Sequence, residues 1–262
     1  MTKNPGSAAP PEALLERTAR HERWIVLAAL AAVAAAALAV TLKTGDSLMT
    51  AASPGTATIT AVALVFAMWW TMMMAMMLPS AAPAILTFAA VSRNFAAKGG
   101  AAAPLTAFAS GYATIWTGFS AAAVVLQMAI AAYVPLTGMF AVPNAAFGGG
   151  LLIAAGLYQL TPFKQSCLRQ CQSPLLYFAR NWRSGAFGAW RMGLRHGLSC
   201  LGCCWVLMGL LFYGGVMEPR WIIGLAAYVA AEKLIPAPWR LSRFTGVALI
   251  VWGLWVLSRT LS

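Results

Sequence analysis

The sequence predicts an all-α protein, a polytopic transmembrane helical bundle of about seven spans with a cytoplasmic N-terminus. Three observations carry that expectation. Of 262 residues, 61% are hydrophobic and 9% charged, where soluble domains carry roughly 25% charged residues. The apolar residues gather into runs near the length of ~20 that a spanning helix needs. Fifteen of the 18 lysines and arginines fall on one side of those alternating runs, which marks the cytoplasmic side. The net charge of +12 is therefore a topology signal. It implies contact with an anionic cytoplasmic leaflet, not with nucleic acid.

Residues 1–23, with Glu12, Glu16, Arg17, Arg20, Glu22 and Arg23, read as a charged cytoplasmic tail, and 24–262 as a single transmembrane helical domain. The first span, Trp24–Leu42, has an apolar core longer than the roughly 7–15 residues of a signal peptide and is expected to be retained. The second, Thr56–Leu78, should stop where Pro79, Ser80 and Pro83 interrupt it, leaving 84–98 along the interface. Leu105–Val134 is long enough to tilt, whereas Ala145–Leu160 is short. A basic cytoplasmic loop at 161–196 follows, its Tyr177, Phe178, Trp182, Phe187 and Trp190 interleaved with arginines as in a lipid-surface segment. Gly197–Gly215, Trp221–Ile235 and Phe244–Leu257 complete the seven.

Chemistry concentrates in four places. His196, Cys200, Cys203 and Cys204 open the fifth run, and helical spacing stacks the imidazole above at least two thiols on one face. Cys203 and Cys204 point about 100° apart, so one of them is expected to join Cys200. Cys167 and Cys171 form a second pair four residues apart. Six of the 13 methionines lie between Met68 and Met77, with Met68, Met72 and Met76 on one face and Met73 and Met77 on the next. Finally, Glu232 stands beside Lys233 at a helix end, and a membrane-edge carboxylate is a functional candidate by default.

Thiolates, thioethers and imidazole are the donors that Cu(I) prefers; Zn(II) takes the first and last but not thioethers. With the N-terminus inside, all four features reach the cytoplasmic side. The expected metal residues are thus Met72, Met76, Cys167, Cys171, His196, Cys200, Cys203, Cys204 and Glu232. Copper as Cu(I) is the first expectation for the bound ion and zinc the second. No nucleophile elbow, Walker loop, dinucleotide-binding glycine pattern or HExxH occurs, and two histidines are too few for a di-iron centre.

The runs Trp70–Ser80, Tyr158–Lys164 and His196–Trp205, followed by Glu232 and Lys233, resemble a bacterial family of predicted metal-binding integral membrane proteins with a domain of unknown function. The resemblance covers about residues 25–257. It implies metal binding and a multi-pass place in the bacterial inner membrane. The expected role is copper handling (transport, storage or delivery), with a metal donor or acceptor protein as the partner. Enzymatic activity is not expected. Two other roles fit the same residues, a membrane anchor or assembly subunit without metal and a thiol–disulfide membrane oxidoreductase. Neither the oligomeric state nor the joining of the two cysteine groups into one site follows from spacing alone.

Overall fold

The structure, a computed structural model, describes residues 59–97, 103–134, 136–137, 141–235 and 238–261. The expected tail and first span lie outside these residues. Every regular element described is an α-helix: α1 Ile59–Ala97, α2 Leu105–Tyr133, α3 Ala145–Gln159, α4 Pro162–Gln172, α5 Pro174–Asn181, α6 Gly185–Gly209, a single turn α7 Leu211–Gly214, α8 Pro219–Leu234 and α9 Pro238–Leu261.

Among the described residues four segments are long and apolar enough to cross a membrane: 59–96, 105–133, 185–214 and 240–259. A fifth is reached if α3 and α4, bent by 64° at Leu160 and Thr161, count as one broken span. These helices are compatible with a membrane location. Of the seven expected spans the first lies outside the described residues, and the two that fall short among the rest have a geometric cause. At ~1.5 Å per residue, the 15 residues of α3 and the 16 of α8 extend about 22–24 Å, short of the ~30 Å hydrocarbon layer.

Two boundaries differ from expectation. The helix α1 runs unbroken through Pro79 and Pro83 for 39 residues, so 84–97 continues the span and is not a separate interfacial segment. Each proline deletes one backbone donor without ending the helix, and two hydroxyls of the same stretch bond back to its backbone. Ser80 Oγ donates to Met77 O at 2.9 Å, and Thr87 Oγ1 to Pro83 O at 2.7 Å. The region 161–196 is likewise helical almost throughout, and α6 begins at Gly185, three turns before His196.

Glycine contacts set the frame around the buried site. At Gly193 of α6 an added Cβ would lie 2.1 Å from Phe108 O, and at Gly111 of α2 2.2 Å from Trp190 O. Only hydrogen fits there, so the two backbones touch as small residues allow in membrane helices. Against that pair lies α1, with Trp69, Met72, Met73, Met76 and Met77 all buried. On the other side α3 and α9 pack backbone to backbone at Gly156 and Gly246. Outward faces, such as Val125 of α2 and Val251 and Trp255 of α9, remain exposed and apolar, as lipid contact requires.

Candidate metal centre

The three cysteines of α6 lie in mid-helix and are all buried, Cys200 and Cys203 at 1% exposure and Cys204 at 0%. Being consecutive, Cys203 and Cys204 ought to diverge. Both instead fold back onto the same acceptor: Cys203 Sγ donates to Cys200 O at 3.0 Å and Cys204 Sγ at 3.1 Å. One carbonyl thus gathers two neighbouring thiols. Cys204 interacts with both Cys200 and Cys203, and Cys203 reaches Cys171 on α4. The four thiols Cys200, Cys204, Cys203 and Cys171 thus form a run of neighbours from α6 to α4.

Cys167 extends the run to the surface. It is half-buried, and its sulfur sits so close to α6 that a Cβ at Gly202 would lie 2.8 Å from it. Nearby, Tyr158 donates its hydroxyl to Gly202 O, fastening α3 to the same turn. All five cysteines are free thiols.

At Cys204 the run meets α1, and the methionine that arrives is Met77. Cys204 Sγ lies 4.0 Å from Met77 Sδ. Two sulfurs bound to one trigonal ion at ~2.3 Å each would stand about 4 Å apart, so this spacing suits joint ligation. Met72 and Met76 are buried in the same core at 1% and 2% exposure, but on the adjoining face of α1. Among the described residues no three His, Cys, Asp or Glu side chains form a ready metal polyhedron. The set is a line of soft donors completed by a thioether.

Cys200 has a different neighbourhood. Lys233 Nζ, on α8, donates to Cys200 Sγ at 3.1 Å and to Ser80 Oγ at 2.8 Å. The Tyr112 hydroxyl is 3.2 Å from the same sulfur and 3.3 Å from Met77 O. His196, one turn before Cys200, is 2% exposed and walled by the rings of Phe108, Tyr112 and Tyr177, each with its centroid 6.0 Å away. Its Nδ1 is buried without a partner, and a buried polar atom without a partner is costly unless something binds it.

Glu232 faces elsewhere. Both its oxygens accept from Lys164 Nζ at 2.7 Å, and Oε1 also accepts from Tyr228 and Ser242 at 2.6 Å each. Gln159 joins by accepting from Lys164 and donating to Tyr228. Lys164 and Glu232 are 0% and 1% exposed. The carboxylate is fully engaged by this network and does not meet the sulfurs.

Separately, α4, α5 and α6 form a cleft of about 700 Å³ lined by Arg169, Arg180, Arg195, Gln170, Ser199 and Tyr177, with no acidic residue. Burial pushes Tyr177 up to about 12, so it stays a neutral hydroxyl donating to Met192 O at 3.0 Å.

Sequence reasoning passed over Met77, Tyr112, Ser80 and Lys164 as site neighbours, and treated Lys233 only as an ion-pair partner. A lysine inside an apolar run was the available signal for Lys233; for Tyr112 there was none. A family model described as a copper chaperone, PpoB2, matches residues 66–256 and so spans every one of these side chains. No curated protein and no solved structure matches the chain.

Proposed function

The chain belongs to the copper chaperone family, and on that premise we propose that it is an inner-membrane protein that binds Cu(I) and passes it to another protein. The observation that supports this most is the set of four buried thiols Cys200, Cys203, Cys204 and Cys171, with the Met77 thioether 4.0 Å from Cys204 Sγ. Soft sulfur and low coordination favour Cu(I) over Zn(II), which asks for four ligands in a tetrahedron.

In this reading Cys200, Cys204 and Met77 hold the ion, while Cys203, Cys171 and the half-buried Cys167 exchange it stepwise with the outside. Neighbouring sites of similar affinity let an ion move without being released, as conduits require. His196 is an auxiliary donor through Nδ1. Met72 and Met76 line the approach from the other end of α1. Glu232 holds α8 against α4 so that Lys233 meets Cys200. With the N-terminus inside, the arginine-lined cleft opens to the cytoplasm, and its charge rests near anionic lipid.

Copper content by elemental analysis, with and without Cys200→Ser plus Cys203→Ser, tests the reading. Near-stoichiometric copper lost in the variant supports it. No copper in the unaltered protein after reconstitution with Cu(I) under reducing conditions overturns it.

One observation favours a second reading, a membrane assembly subunit without metal of its own: no preformed His, Cys, Asp or Glu triad exists among the described residues. It expects both proteins to be copper-free, with only assembly perturbed. A thiol–disulfide oxidoreductase would instead show reversible disulfides between Cys171 and Cys203 on a thiol-labelling gel.

A further inference from the structure

We infer that Lys233 is the charge-selecting residue of the sulfur site: its ammonium makes the buried centre neutral with a monovalent ion and positive with a divalent one. The inference rests on the Cu(I) reading above and deepens it.

The argument is a charge count in a place where charge is expensive. Cys200, Cys204 and Met77 supply two thiolates and one neutral thioether when a metal is held. Lys233, 7% exposed, lies 3.1 Å from Cys200 Sγ. Among the described residues no carboxylate balances it, because Glu232, its neighbour in sequence, is engaged by Lys164. Two thiolates, one ammonium and one monovalent ion sum to zero. A divalent ion leaves one uncompensated positive charge, which a buried low-dielectric site disfavours strongly. Without the ammonium the balance inverts, since two thiolates neutralise a divalent ion and leave a monovalent complex negative.

The geometry makes Lys233 a positioning residue and not a ligand. Its amine is spent on Ser80 Oγ at 2.8 Å and on Cys200 Sγ, so it sits behind the sulfur, where a fixed charge tunes the ion without competing for it. Replacing it leaves a thiol and a hydroxyl, both able to find backbone acceptors in their own helices, as Ser80 already does at Met77 O. No orphaned charge results.

The test is competition titration of the purified full chain with Cu(I) and Zn(II) against chromogenic chelators, for the unaltered protein, Lys233→Met and Lys233→Arg. Lys233→Met should lose about 10- to 100-fold in Cu(I) affinity, the range of outer-shell substitutions, and gain in Zn(II) affinity. Lys233→Arg should keep the original order. Affinities for the two ions that fall together, or do not change, overturn the inference while leaving the copper site standing. Should Lys233→Met fail to fold, the unaltered protein still decides: Ag(I) must displace Cu(I), and the soft divalent Cd(II) must not. Cd(II) displacing Cu(I) at comparable concentration overturns the inference. An unaltered protein that binds neither Cu(I) nor Ag(I) overturns both this inference and the copper reading.

Discussion

Glu232 and Lys233 are adjacent in sequence, yet they belong to two buried polar regions of opposite character. Around Glu232 every group is hard and saturated: a lysine, a serine, a tyrosine and a glutamine fill the hydrogen-bonding capacity of the carboxylate and of one another. Around Lys233 the groups are soft and open: thiols whose hydrogen bonds are weak, a thioether, and an imidazole nitrogen with no partner. Saturation marks a structural device, because nothing remains to bind a ligand. Incomplete satisfaction marks a place where chemistry is still to be done. The two regions share α8, so the first orients the second.

If that division holds, breaking each region damages a different property. The largest effect belongs to the saturated network. Lys164→Met strands a buried carboxylate and should cost about 3–5 kcal/mol of stability, read as a lower Tm, while the folded fraction still binds Cu(I) and loses less affinity than the sulfur variants do. Adding Glu232→Leu should restore most of the loss, since an apolar pair of similar volume replaces the ion pair. A double variant as unstable as the single one would show that the network does more than hold helices together.

The sulfur region should answer the opposite way. Cys204→Ser is expected to weaken Cu(I) binding by about 100-fold with Tm nearly unchanged, because the hydroxyl keeps the bond to Cys200 O that the thiol makes. Next comes Met77→Leu, at about tenfold, measured beside Met72→Leu and Met76→Leu, whose effects should be smaller. Equal losses from all three would move the ligand set along α1. Smallest at equilibrium is Cys167→Ser, which should leave affinity unchanged and slow loading in stopped-flow with a Cu(I) donor.

How much of this was legible in the sequence depends on whether the information was local. Helical spacing placed His196 and Cys200 on one face, and composition gave an all-helical chain, because both follow from residues a few positions apart. The choice between Met77 and its neighbours was not local: the run carries sulfur all around α1, and packing against α6 decides which face meets the cysteines. Likewise, two consecutive residues such as Glu232 and Lys233 point about 100° apart, and which one meets sulfur depends on where α4 brings Lys164. The convergence of Cys203 and Cys204 was hidden for a subtler reason. It follows from rotamers that let both thiols share the Cys200 carbonyl, not from their positions on the helix. The start of α6 was obscured by Arg191 and Arg195, which look like a membrane boundary but lie on an exposed face of a helix that continues past them.

The covering of α6 by α4 has a consequence in time. Only Cys167 is partly open, and the four thiols beyond it are at most 8% exposed, so an arriving ion cannot collide with them directly. In the proposed copper reading, entry waits on the opening of the seam between the two helices. Loading should therefore reach a ceiling rate that no further copper can raise, and the same seam should shelter the thiols from oxidants and alkylating reagents. A centre closed in this way behaves as a timed lock: what sets the pace of exchange is the breathing of a helix pair, not the strength of its sulfur bonds.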